Sequence, residues 1–205
     1  LEIDVLDRNR AVFKQNRIVL CMPSSQTLAI ARNKYVLYKT FEYDDLVPSI
    51  STYLSGEVPI TLLPAIAKPY NGRSSEGVLR ISNVKELEEV SSKSGYIFQE
   101  IIEGPVFTVD YIRNSYTDKD FSIVREELLR TKNGAGTTVR MSNDMSLKRL
   151  VSHIGNMIQV NGCINMEFIQ SKGKYYLIDI NPRFSAGVAF SHMAGYNICL
   201  LYTSD

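Results

Sequence analysis

Cys163-Ile-Asn165-Met-Glu167-Phe-Ile169-Gln-Ser171-Lys-Gly173-Lys-Tyr175-Tyr-Leu177-Ile-Asp179-Ile-Asn181-Pro-Arg183 is the stretch that decides the fold. Two strand-like runs, Cys163 to Ile169 and Tyr175 to Asn181, flank the polar turn Ser171-Lys172-Gly173 and read as an antiparallel hairpin. Side chains alternate between the faces of a strand, so Asn165, Glu167 and Ile169 share one face, as do Leu177, Asp179 and Asn181. A turn centred on Gly173 sets Glu167 opposite Asp179. Two carboxylates facing each other across such a pair repel and weaken the sheet. The other face carries Ile164, Met166, Phe168, Ile178 and Ile180 and reads as core. The acidic face then looks into solvent, a cleft or a cation. Glu167, Asp179 and Asn181 form an oxygen-only donor set, which suits Mg²⁺, an ion that keeps waters and takes further ligands from substrate phosphates. It does not suit zinc, because no His or Cys is placed to join it.

Upstream, Asn143 or Asp144 opens a helix with apolar residues at helical spacing (Leu147, Leu150, Val151, Ile154, Met157, Ile158). Gly134-Ala135-Gly136 marks a loop, and Val106 to Arg113 and Phe121 to Arg130 alternate as longer strands. Earlier still, strand Ala65-Ile66-Ala67 ends in Lys68-Pro69. A Gly/Ser loop from Tyr70 to Gly77, a strand Val78 to Ile81 and a helix from Asn83 to Gly95 follow. Asn83 with Glu86 three residues on is a helix-start signature. Tyr96 to Glu100 is the next strand. Ser25 or Thr27 caps a helix through Leu28, Ala31, Tyr35 and Tyr38, and the basic stretch Arg8, Arg10, Lys14, Arg17 reads as a solvated helix face. This order gives an α+β protein with largely antiparallel sheets rather than regular βαβ units.

The 205 residues are 44% hydrophobic, enough for a buried core. With 23 basic and 22 acidic residues the net charge is +1, so no bulk field recruits nucleic acid or an anionic membrane. An oligonucleotide-binding β domain would interleave aromatics with basic residues, and Trp is absent. Three cysteines (Cys21, Cys163, Cys199) without paired spacing fit reduced thiols in a cytoplasmic protein. No apolar run approaches a membrane span. Neither end resembles a natural terminus, so residues 1–27 are expected to be a linker leaving a missing front domain.

A lysine at the end of a buried strand followed by a Gly/Ser loop, as in Lys68 to Gly77, sets an ammonium and backbone N–H groups around phosphates. No P-loop and no Rossmann glycine fingerprint is present. In combination, the hairpin and this loop resemble the ATP-grasp superfamily, near the ATP-binding region of carbamoyl-phosphate synthase large chains and related carboxylate–amine ligases. The likeness covers nearly all of residues 28–205. Its most specific part is Asn165-Met-Glu167-Phe-Ile followed by Asp179-Ile-Asn181-Pro-Arg183-Phe-Ser-Ala-Gly187.

The resemblance implies two α/β lobes with mostly antiparallel sheets and the nucleotide between them. Residues 28–57 and 99–205 would form the main lobe, and 58–98 a smaller lid. It implies ATP and Mg²⁺, with Mn²⁺ as a substitute ion, held by Glu167, Asp179 and Asn181. Lys34, in Arg32-Asn33-Lys34, and Lys68 would meet phosphates, with Gly72, Ser74 and Ser75 in the loop over them. Gln99, Glu100, Ile101 and Ile102 would form the hinge that reads adenine, Ile66 and Met166 would sandwich the ring, and Glu103 is the nearest acid for the ribose. Arg183 would stabilise transferring charge, with Arg140 assisting. Two departures stand out. Asp179 occupies a position where the family usually has Glu. Val106 replaces the Glu of the pattern Gly-x-Glu-aromatic-Thr/Ser-Val-Asp.

The implied reaction is phosphorylation of a small carboxylate to an acyl phosphate, which an amine or similar nucleophile then attacks. The alternative is a non-catalytic or regulatory nucleotide-binding module, a degenerate ligase half. Nucleic acid and membrane are not expected as partners, and a homodimer is compatible with the resemblance.

Overall fold

The computed structural model describes residues 2–72, 76–132 and 134–203. In chain order the elements begin with α1 Glu2–Arg8, α2 Arg10–Gln15, α3 Ser25–Arg32, α4 Lys34–Thr40, β1 Thr52–Leu54, β2 Ala65–Pro69, β3 Leu79–Ile81, α5 Val84–Ser91 and β4 Tyr96–Glu100. They continue with β5 Val106–Asn114, β6 Lys119–Arg130, β7 Gly136–Ser142, α6 Met145–Met157, β8 Gly162–Ser171, β9 Lys174–Asn181, α7 Val188–Met193 and α8 Ile198–Thr203. Among the described residues the strands form two sheets, in the orders β1-β4-β2-β3 and β7-β6-β5-β8-β9, and every pairing is antiparallel. The α+β architecture with antiparallel sheets is as the sequence implies. β1 lies at the edge of the smaller sheet, paired with β4, so residues 52–54 and 65–69 share one sheet.

Short polar side chains start the helices where their oxygens meet otherwise unpaired N–H groups. Asn83 accepts from Glu86 N while Glu86 accepts from Ser82 N, and Asp144 accepts from the N–H groups of Ser146 and Leu147. The helix expected from Ser25 to Tyr38 is instead two. Ser24 caps α3, and Asn33 stops it in an extended conformation and caps α4. This break places Lys34 at the first turn of a new helix. β1, α7 and α8 are not read from the sequence, nor is β7, an exposed edge strand of mixed polarity that carries no alternation.

The largest apolar cluster packs α6 and α4 against one face of the five-stranded sheet, through Leu37, Val109, Tyr111, Leu147, Val151, Ile154, Met166 and Phe168. A second cluster lies between α5 and the smaller sheet (Ala67, Ile81, Leu87, Val90, Phe98). A third joins the two sheets: Tyr38, Ile50 and Ile97 are buried there, with Ile102, Tyr176 and Ile178 packed around them. Among the described residues no helix is long and apolar enough to cross a membrane.

The remaining face of the large sheet is apolar at one end, where Ile112, Ile123 and Cys163 pack with Ile198 and Tyr202 of α8, and polar beyond it, where a buried network fastens the chain after β9 over it. Arg125 on β6 pairs with Asp110 on β5, and both are essentially inaccessible, at 1% and 0% side-chain exposure. Arg125 also donates to Ser191 Oγ of α7 at 2.6 Å and to Ser185 Oγ at 3.1 Å, and Ser191 donates to Asp110 at 2.7 Å. A buried charge left without its partner is far costlier than a pair replaced whole. Asp110→Ala should therefore lower unfolding stability by about 3–5 kcal/mol in urea titration, while Asp110→Leu with Arg125→Met should recover most of the loss.

Candidate functional site

The register places the acidic residues together. Glu167 is paired with Asp179 on β9 and with Thr108 on β5, which is in turn paired with Arg125 on β6. Asn165 is paired with Asn181 and with Asp110 in the next row. The loop between β8 and β9 is the two-residue turn Lys172-Gly173, both at positive φ (49° and 75°), flanked by the pair Ser171 and Lys174. Plain alternation from that turn would set Ile178, not Asp179, opposite Glu167. A bulge between the Phe168–Leu177 and Glu167–Asp179 pairs absorbs one residue and restores the acidic pair. The bulge also corrects the face assignment: Leu177 lies in the main core, and Ile178 turns toward Tyr38. Tyr38 donates to the Ile178 carbonyl at 2.5 Å, satisfying backbone at the bulge.

Each acid has a cation. Lys34 donates to Asp179 Oδ1 at 2.9 Å and to the Gly72 carbonyl at 3.1 Å, tying the hairpin to the loop after β2. Arg130, at the end of β6, donates to Glu167 Oε1 at 2.6 Å. Burial pushes the Glu167 carboxyl above the usual range. Arg130 opposes that shift, and the charges of Asp179 and Glu127 add to it. Asn181 Oδ1 accepts from Arg183 at 3.3 Å, and Arg183 also donates to the Phe184 carbonyl at 2.9 Å.

The smaller sheet supplies Lys68, which is 7% exposed. Its ammonium donates to Tyr38 Oη at 2.8 Å and lies 4.9 Å from the centre of that ring. Burial lowers its pKa to about 8; Asp179 counters the shift and Lys34 reinforces it. Burial, then Asp179, raises the Tyr38 phenol far above the usual tyrosine range. Ile66 and Gln99 are paired neighbours in this sheet, and Gln99 donates to Thr52 Oγ1 at 2.7 Å. Ile101 and Ile102 follow as the link to β5, with Ile102 in the cluster between the sheets.

Several expected site residues lie elsewhere. Met166 is fully buried in the main core, on the opposite face of β8 from Glu167, so it is not placed to stack on a ligand beside that acid. Ile169, half-buried on the Glu167 face, is so placed. Arg140 is opposite Glu126 on the α6 side of the sheet and pairs with it at 3.5 Å, away from the acidic face. Glu103 is largely exposed, 3.9 Å from Arg80 on the surface. The Glu100 carboxylate accepts from Ser51 N at 3.1 Å, which leaves its backbone rather than its side chain for a ligand. Ser74 and Ser75 lie outside the described residues. Arg130 and Glu127 are the site residues that the sequence hides, because only a β-sheet register can bring them to Glu167.

Two carboxylates and an amide oxygen at one end of a hairpin fit a hard divalent cation. Among the described residues no group of three or more His, Cys, Asp and Glu side chains is gathered to hold a metal. A cation here would therefore complete its shell with water or a bound anion. Beside the set lies a cavity of about 630 Å³, lined by Lys34, Gly72, Asp179, Asn181, Arg183 and Phe184 with Ile3, Leu6 and Met22.

The family described as ATP-grasp domain matches residues 31–187. No curated protein matches the chain. Biotin carboxylase from Campylobacter jejuni, solved as a βγ-ATP complex, has a TM-score of 0.76 at 17% identity over 97% of this chain and 51% of that one. The biotin carboxylase domain of Hydrogenobacter thermophilus 2-oxoglutarate carboxylase, solved with MgADP, ADP and bicarbonate, gives 0.75 at 15% identity over 95% and 50%. D-alanine–D-alanine ligase from Bacillus anthracis gives 0.64 at 15% identity over 94% and 71%. The chain spans about half the length of the two carboxylase chains. At these identities the likeness is one of fold.

Lys68 makes the site costly to keep. Its folded pKa of about 8 lies below the usual lysine value of 10.5, so between those values the unfolded chain holds more protons and stability rises with pH. Lys68→Met should be the more stable protein in urea at pH 7. Its advantage over the parent should shrink as pH rises from about 8 to 10.5.

Proposed function

Because the chain belongs to the ATP-grasp family, we propose that it binds MgATP between its two sheets and phosphorylates a small carboxylate to an acyl phosphate. An amine or a similar nucleophile then displaces phosphate. The observation that carries this reading is the opposed pair Glu167 and Asp179, each neutralised by a cation that a nucleotide phosphate would attract in its turn. Glu167, Asp179 and Asn181 would hold Mg²⁺, which would supply charge neutralisation on the phosphates.

The chain's own groups do the rest. Lys68 and Lys34 sit where the loop after β2 meets the acidic hairpin, so they bind phosphate oxygens. Burial works against the charged form of Lys68, and an arriving phosphate favours it. Arg183 flanks the cavity next to Asn181 and stabilises the charge that develops on the transferring group. The hinge backbone from Glu100 to Glu103 reads the base, with Ile66 and Ile169 on either side of it. The carboxylate acceptor takes the cavity, whose polar wall faces the phosphates and whose apolar wall is built by α1 and Met22. Positioning and electrostatics supply the rate, and no protein nucleophile is required.

The test is Mg²⁺-dependent nucleotide binding, followed by ADP release with a panel of carboxylates and amines. Glu167→Gln should weaken MgATP binding at least about tenfold, the value of one strong charge-assisted interaction, and should abolish ADP release. Unchanged turnover in Glu167→Gln would overturn the metal-site assignment. Tight binding without ADP release for any acceptor would instead favour a regulatory module.

A further inference from the structure

We propose that the acceptor of this site is an apolar monocarboxylic acid, its carboxylate held beside Lys34 and Arg183 and its hydrocarbon tail directed along β8 toward Cys163 and Met22. The proposal rests on the ATP reading above and adds to it the class of acid that is activated.

The cavity beside the acidic hairpin changes character along β8. Glu167, Asn165 and Cys163 stand at alternate positions of that strand and share one face. Their cross-strand partners follow the same gradient. Thr108 and Asp179 flank Glu167, Asp110 and Asn181 flank Asn165, and Ile112 flanks Cys163. The acidic row and the apolar row are roughly 13 Å apart at the ordinary rise of a strand. Cys163 belongs to the apolar cluster of Ile112, Ile123, Ile198 and Tyr202, against which Cys21 packs. Cys21, Met22 and Cys163 line the same cavity as Asp179 and Asn181, so the cavity spans both ends of the gradient. Gly162 lets the Cys21–Met22 segment close that far end: a Cβ at 162 would meet Met22 N at 2.7 Å and the Cys21 carbonyl carbon at 2.8 Å. Ile3 and Leu6, three residues apart on one face of α1, complete the apolar wall.

Burial separates the two walls. Met22, Ala31, Cys163 and Ile180 are buried, whereas Glu2, Arg32, Asn71 and Arg183 are exposed and mark the mouth. Arg32 is paired there with Asp4. A charged tail would have to leave water for the inner end, at a cost that apolar walls do not offset. At the outer end Arg183 donates to two neutral oxygens, those of the Asn181 side chain and the Phe184 backbone, which do not cancel its charge. One carboxylate is what that end takes. A carboxylate oxygen forms a bond to the γ-phosphorus as the bond from that phosphorus to the bridging oxygen breaks. The electron pair leaves with ADP, and an acyl phosphate remains with its tail in the apolar end. A cavity of about 630 Å³ matches pockets that enclose a drug-sized ligand, so the smallest acids would leave most of it unfilled.

Calorimetric titration of the MgADP-saturated chain with acetate, butyrate, hexanoate and adipate tests this. Affinity should rise about fourfold for each methylene from acetate to hexanoate, the worth of burying one such group. Adipate has the length of hexanoate but ends in a second charge, and should bind at least about tenfold more weakly than hexanoate. Leu6→Gln, which α1 tolerates as a helix, should lower the ratio of hexanoate to acetate affinity at least about fivefold. If Leu6→Gln does not bind MgADP it is not folded, and Ile3→Gln takes its place. Should both fail to fold, the parent series alone decides. A flat series in the parent overturns the proposal, as does adipate binding as tightly as hexanoate. An unchanged ratio in a folded variant overturns it too. Each of these outcomes leaves the ATP reading standing, because the parent binds MgADP. A parent that binds neither MgADP nor MgATP removes both.

Discussion

Two like charges held face to face across an antiparallel pair govern the organisation of this protein. Glu167 and Asp179 are paired in register, and their repulsion would loosen β8 from β9 if nothing offset it. The offset comes from far away in the chain. Lys34 arrives because Asn33 breaks one helix and starts another, and Arg130 arrives at the end of the long strand β6. The two cations thus tie α4, the loop after β2 and the β6–β7 hairpin to one pair of acids. Such a pair of ion pairs is a holding arrangement rather than a source of stability, because partly exposed salt bridges contribute little. It keeps the acids close and keeps positive charge within reach of an incoming anion.

Around that pair, order is maintained by groups that are expensive to bury. Lys68 sits on Tyr38, and Tyr38 in turn satisfies the carbonyl at the bulge that aligns Asp179. One hydrogen-bonded chain therefore runs from the smaller sheet to the acidic hairpin. On the other side, Arg125 and Asp110 hold Ser185 and Ser191, fixing the segment that carries Arg183. Both arrangements spend folding energy on geometry, as binding sites commonly do.

The sequence made much of this legible. The Asn83 and Asp144 caps, strand β4 and the Glu167–Asp179 pair follow from local rules, since a cap needs one oxygen near three N–H groups and a hairpin needs only alternation. Even so, the acidic pair follows from a turn centred on Gly173, whereas the turn is Lys172-Gly173 and a bulge makes up the difference. The resemblance sets Met166 against the ring, whereas its parity with Glu167 sets it on the core face, where it lies. Arg140 was misplaced because β7, exposed and irregular, leaves no period from which to read a face.

What the sequence determined by itself is the α+β class, the helix starts at Asn83 and Asp144 and the identity of the acidic hairpin, because each depends on residues within a dozen positions of one another. Only the tertiary structure decided which cations meet those acids, that Glu127 shares their face, and that Ile178 rather than Leu177 turns away from the main core. Those contacts join strands from distant parts of the chain through register. A single bulge moves every residue beyond it to the other face of its strand, a choice set by packing against Tyr38 and the core rather than by local preference.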